Sequence, residues 1–140
     1  MVKKRDVLRI KMPFPDISSA LAITSHMYIC RDTENDIHHF VKCQTLKPYM
    51  LTKNTMMHYW DECPDLARNP FNVPTRIDCD KEFVTEKVQY ADGMKTSNRP
   101  DVCQDTMDSV ESELNAGGYK SHIMVTADVL NLNFLTSPWV

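Results

Sequence analysis

Residues 6–12 read Asp6-Val7-Leu8-Arg9-Ile10-Lys11-Met12. In an extended chain Leu8, Ile10 and Met12 fall on one side and Arg9 and Lys11 on the other, the two-residue period of a half-buried strand. Pro13-Phe14-Pro15-Asp16 ends it, because two prolines in three residues remove ladder donors. A loop of small residues, Ile17 to Ser25, follows. His26-Met27-Tyr28-Ile29-Cys30 reads as a second strand, closed by a charged turn from Arg31 to Asp36. Phe40-Val41-Lys42-Cys43-Gln44-Thr45-Leu46 reads as a third, stopped by Pro48.

Residues 47–75 carry four prolines and a compact group of Met56, Met57, Tyr59 and Trp60, whose plainest role is core or lid packing. Another strand is expected from Arg76 to Asp80, with Glu82-Phe83-Val84 starting a turn into Lys87-Val88. One helix is well signalled. Asn98 or Ser97 can cap it, Pro100 suits its first turn, and Asp101 and Asp105 favour its positive end. Cys103, Met107, Val110 and Leu114 make one apolar stripe, and Gly117-Gly118 closes the helix. Asp108, Glu111 and Glu113 form a solvated acidic face. Beyond it, Ile123–Val125 and Val129–Leu135 look extended, with Leu130, Leu132 and Phe134 alternating against Asn131 and Asn133. These elements give an α+β, mainly β, single domain over 1–140, with a small curled antiparallel sheet, a helix and a C-terminal strand extension.

Composition narrows the chemistry. A chain of 140 residues with 42% apolar and 25% charged residues is ordinary globular protein. A net charge of -3 excludes a uniformly basic coat, so any nucleic-acid contact is local. No apolar run approaches the ~20 residues of a membrane span, and no signal-like segment opens the chain, so a cytoplasmic protein is expected. The three glycines, Gly93, Gly117 and Gly118, rule out G-x-G-x-x-G and P-loop phosphate cradles. Five scattered cysteines without a C-x-x-C pair read as reduced small hydrophobes, and Cys30, His38, His39 and Cys43 lack zinc-site spacing. Cys43 with His38 or His39 is poorly placed for a nucleophile pair. Asp78 and Asp80 read as solvated strand carboxylates. No metal and no cofactor are expected.

RNA cleavage is a chemistry that needs neither metal nor glycine loop. The ribose 2′-OH attacks its own phosphate while the protein supplies acid, base and a fixed charge for the phosphorane. Arginine suits that last role. A hydroxyl at a strand end can orient the phosphate, and Thr45, beside Lys47, fits that position.

Lys4-Arg5-Asp6-Val7-Leu8, the proline break and the strand ending Ile29-Cys30-Arg31-Asp32 resemble the opening of the MazF/PemK family of toxin endoribonucleases. Val41-Lys42-Cys43-Gln44-Thr45 resembles the family strand that ends in threonine. Thr75-Arg76-Ile77-Asp78, with Lys81-Glu82-Phe83 and Val88, resembles its late R-T-I-D-K segment. The ordered matches cover roughly half of the chain. The resemblance implies an SH3-like barrel with a C-terminal helix, usually a homodimer. It also implies a metal-independent endoribonuclease cleaving single-stranded RNA, neutralised by an antitoxin protein. The active hydroxyl falls on Thr45. The family arginine falls on Thr24, with Ser25 for the following proline, and Arg5 stands at the opening glycine. Charge stabilisation then passes to Arg31, Arg76 or Arg9 from a neighbouring strand, with Arg9, Lys11, Thr24, Ser25 and Lys47 expected along the RNA. Three readings stay open: an active toxin ribonuclease, a catalytically inactive barrel that binds RNA or a protein, or a small α+β protein whose matches to the family are coincidental.

Overall fold

In the computed structural model, residues 1–13, 24–52 and 56–140 are described, and they form a mainly antiparallel β structure with two α-helices. The proline break at 14–16, the small-residue loop through 23 and residues 53–55 of the proline-rich stretch lie outside the described residues. Among the described residues nine strands occur: β1 Val7–Ile10, β2 His26–Glu34, β3 Ile37–Thr45, β4 Tyr59–Glu62, β5 Thr75–Asp78, β6 Lys81–Thr85, β7 Val88–Tyr90, β8 Lys120–Ile123 and β9 Thr136–Pro138. The helices are α1, Gln104–Gly117, and α2, Thr126–Leu132.

The two nine-residue strands β2 and β3 are the spine. They meet at Asn35-Asp36, where Asn35 takes φ 55°, the left-handed conformation a two-residue hairpin loop needs and asparagine tolerates. The expected charged turn is therefore shorter than its composition suggested: Arg31–Glu34 is strand. A bulge between Cys30 and Asp32 leaves Arg31 unpaired and turns its side chain out of the ladder. On its other edge β3 takes β6 at His38–Phe40 and β5 at Cys43–Thr45. The sheet forks there. β4 pairs β5 antiparallel, and β8 pairs β6 in parallel. The Glu82–Val84 turn that the sequence suggested is likewise a strand, β6. β7 and β9 form a separate two-stranded sheet.

Both faces of the large sheet are covered. Leu8, Ile10, Tyr28, Cys30, Phe40 and Phe83 pack with Tyr90, Met124 and Val129 on one face. Val7, Ile29, Val41, Cys43 and Ile77 pack under Met107, Val110 and Leu114 of α1 on the other. This explains why Tyr28-Ile29-Cys30 is buried without alternation. The pairing path runs from β1 out to β4 and β8, and among the described residues no ladder returns to close it into a barrel.

Two helix expectations are corrected. α1 begins at Gln104 and not near Asn98, and the Cys103 sulfur caps it by accepting from Thr106 N. Residues 95–102 are used elsewhere: Thr96 N donates to Val7 O at 3.0 Å, and Val7 N donates to Pro100 O at 2.8 Å, so this segment covers the β1 edge. Val129–Leu135 is not a strand but mostly helix α2. Its alternating leucines are outranked by Val129, one turn on from Val125, which is fully buried in the first core. The α1 terminus agrees with expectation. Gly118 ends it at φ 67°, and a Cβ on Gly117 would run into the His58 ring.

Leu114 is fully buried beneath the last turn of α1. Leu114→Ala is expected to lower unfolding stability by about 3 kcal/mol, read as a shifted urea midpoint with unchanged slope. An unmoved midpoint would mean that α1 is not seated on this sheet.

Candidate functional site

The alternation read from residues 6–12 sets the site. Leu8 and Ile10 enter the first core and Val7 the second, so Arg9 and Lys11 point to the α1 face of the sheet, where both are exposed. Beyond the end of β1 the chain is held by a side chain. Lys11 N donates to Asn133 Oδ1 at 2.8 Å, and Asn133 Nδ2 donates to Lys11 O at 2.9 Å, a substitute for ladder pairing. Asn133 Nδ2 also donates to Val129 O at 2.8 Å. The 95–98 segment flanks the same edge, fixed by Asn98 Nδ2 donating to Pro70 O at 2.9 Å.

Between them lies a cleft of about 580 Å³, whose walls include Arg9, Lys11, Asn72, Lys95, Asn98 and Phe134. Among the described residues, no acidic side chain lines it. Lys95 is partly neutralised from behind by Asp6 at 3.2 Å and Asp92 at 3.3 Å. Arg9 and Lys11 have no carboxylate partner among the described residues. Ser25 also lines the cleft, whereas Thr24, exposed beside it, and Lys47 do not.

The proposed catalytic set is not brought together. Thr45 is exposed at the end of β3, opposite Thr75. Cys43 is two residues earlier on the same face, and the register Arg9↔Met27↔Cys43 puts Thr45 on the face that carries Arg9. Arg76 pairs with Gln44 and so points to the opposite face. Its guanidinium is 2% exposed and forks onto Asp61 at 2.8 and 2.9 Å, 3.7 Å above the Tyr59 ring. Arg31 sits beside the Cys30↔Phe40 pair, five residues or roughly 17 Å along β3 from Thr45. It donates to Glu82 at 2.7 Å and to both oxygens of Glu111 at 3.1 and 2.9 Å. Both guanidinium groups are thus held by carboxylates, Arg31 by Glu82 and Glu111 and Arg76 by Asp61.

The remaining candidates are also committed. Cys43 is buried, and burial pushes its thiol up, away from thiolate character. His38 packs among Phe40, Tyr90 and Trp139, where burial lowers its pKa, while His39 bonds Glu82 on the other face. Asp80 accepts from the backbone of Met57 and His58, and Asp78 from Asp80 N. No group of three or more metal-binding side chains converges among the described residues.

Sequence reasoning reached Arg9, Lys11 and Ser25 but missed Asn133 and Phe134, which come from 122 residues further along the chain and close the same cleft. The available signal was Asn131-Leu132-Asn133-Phe134, where a turn-favouring asparagine directly precedes an aromatic. Compared with models of known protein families, with curated proteins and with solved structures, the chain matches none.

Proposed function

We propose that this protein is a nucleic-acid-binding module that holds single-stranded RNA in the cleft beside β1. The observation that carries this reading is the distribution of charge: Arg9, Lys11 and Lys95 share a cleft with no acidic lining residue among the described residues, and Arg9 and Lys11 have no carboxylate partner there, in a chain of net charge -3. Such a patch attracts phosphates through counterion release while the rest of the surface repels them. Ser25, Asn72 and Ser97 add neutral groups that can hydrogen-bond phosphate or sugar oxygens. Fluorescence anisotropy of a labelled single-stranded RNA, between about 50 and 200 mM salt, tests it. Three contacts predict a log–log slope near about −2, and Arg9→Ala should weaken binding roughly fourfold and flatten the slope by about 0.7. Salt-independent binding, or none, overturns the reading.

A second reading retains the toxin-type endoribonuclease of the MazF/PemK resemblance, an SH3-like barrel acting as a cytoplasmic homodimer that an antitoxin masks. The exposure of Thr45 on the sheet face of Arg9 favours it. Since Arg31 and Arg76 are held by carboxylates, Arg9 is the arginine left on that face to meet phosphorane charge. Long single-stranded RNA incubated with the protein in EDTA separates the two. Cleavage at discrete sites, lost in Thr45→Ala, would establish the ribonuclease. Intact RNA that still binds with a salt slope would leave the binding module.

A further inference from the structure

Phe134 is 95% exposed, while the other described phenylalanines, Phe40, Phe71 and Phe83, are buried. An exposed aromatic ring keeps a large apolar face in water, and here it does so on a pinned turn. Asn133, itself 5% exposed, is tied to both main-chain groups of Lys11 and to Val129 O. Its carbonyl accepts from Thr136 N at 3.0 Å and from Thr136 Oγ1 at 2.6 Å. Leu135 O accepts from Ala91 N at 3.2 Å. The backbone on both sides of the ring is therefore fixed, so a flat partner settling on it has only the side-chain rotamer of Phe134 to order.

The same bonds set what lies beside the ring. Because Asn133 grips the Lys11 backbone, the next residue, Phe134, is held on the same cleft as Lys11, where no acidic side chain of the described residues lines the wall. An aromatic face beside a fixed cation matches one unit of a single-stranded nucleic acid, an unpaired base and its phosphate. A duplex does not offer that pair, since its bases are stacked inside. A protein partner would need acidic groups for Arg9 and Lys11 and an apolar residue for Phe134, and nothing on this face selects that combination over a nucleotide.

We infer that Phe134 is the base-stacking platform of the cleft, with Lys11 taking the adjoining phosphate and Asn133 acting as the positioning residue that couples them. This rests on the RNA-binding reading and adds its preference for unpaired bases.

The test uses the whole chain and two labelled probes: a short oligoadenylate, and the same backbone with its bases removed. The wild type should prefer the base-bearing strand by roughly tenfold. Phe134→Leu should erase that preference without changing the salt slope. Phe134→Trp should restore it, with the added indole emission quenched on binding. Equal affinity of the wild type for both strands, with the slope intact, overturns the stacking role and leaves the phosphate cleft standing. Absence of salt-dependent binding to either strand removes both. If Phe134→Leu changes the mass seen by light scattering but not the preference, the ring is a subunit contact and the inference fails. Phe134 touches no core, so its variants should keep the wild-type unfolding midpoint.

Discussion

Reversing two charges together, Arg9→Glu with Lys11→Glu, is expected to weaken single-stranded RNA binding by on the order of 100-fold. Each lost phosphate contact removes a counterion-release contribution worth roughly fourfold near physiological salt, and each new carboxylate adds repulsion of similar size. The effect should be local. Both side chains are exposed and enter neither core, so the fold should survive. The control is Lys3→Glu with Lys4→Glu, which alters net charge identically at two exposed lysines outside the cleft. If the control weakens binding as much as the cleft pair, attraction is a property of the whole surface and the site assignment fails.

Glu82→Gln should be the most damaging single charge-neutralising change, lowering stability by about 3 kcal/mol. Glu82 is 2% exposed on β6 and gathers four elements. It accepts from Arg31 at 2.7 Å, from His39 at 3.0 Å and from Ser121 of β8 at 2.7 Å, while Arg31 continues to Glu111 of α1. An amide in its place can still accept from Arg31 through its oxygen, but it removes the buried negative charge that the Arg31 guanidinium faces and forces His39 and Ser121, which share the other atom, to reverse their roles. Glu111→Gln, on the 25% exposed side of the same arginine, should cost about 1 kcal/mol or less. Urea unfolding of both variants checks the ranking; equal losses would mean that Glu82 does not organise the network.

The same carboxylate predicts a pH dependence. Burial opposes its charge, but the bonds from Ser121, Arg31 and His39 prevail and hold its pKa below the ordinary carboxylate value. The unfolded chain then binds more protons in that window, so stability rises with pH there. This contribution is present above pH ~4.3 and disappears as the pH falls through the lowered native pKa. Glu82→Gln should flatten that part of the acid-unfolding profile. His38 works in the same direction at higher pH: its pKa is lowered chiefly by burial, so stability falls as the pH drops below about 6.5.

Several elements were legible because their signal is local. The alternation of residues 6–12 describes β1, and Met107, Val110 and Leu114 are all fully buried beneath α1 as their spacing required. Errors arose where a distant partner changed what a local pattern meant. Arg31–Glu34 looks like a charged turn, yet it is strand, with Arg31 satisfied by Glu82 and Glu111. Asn98 and Pro100 look like a helix start, yet their segment bonds the β1 edge. Leu130, Leu132 and Phe134 look like alternate strand positions, yet burial of Val129 favours a helix.

The candidate site divides along the same line. The sequence by itself determined which residues could offer charge to a phosphate, because exposure of Arg9 and Lys11 follows from the two-residue period of an extended chain. It also determined that any such contact must be a patch, since the whole chain is net acidic. Which arginines remain available was decided only by tertiary structure, through the carboxylates of Asp61, Glu82 and Glu111. So was the placing of Phe134 on the same cleft as Lys11, because hydrogen bonds join Asn133 to the Lys11 main chain 122 residues away, and no local period encodes a contact at that separation.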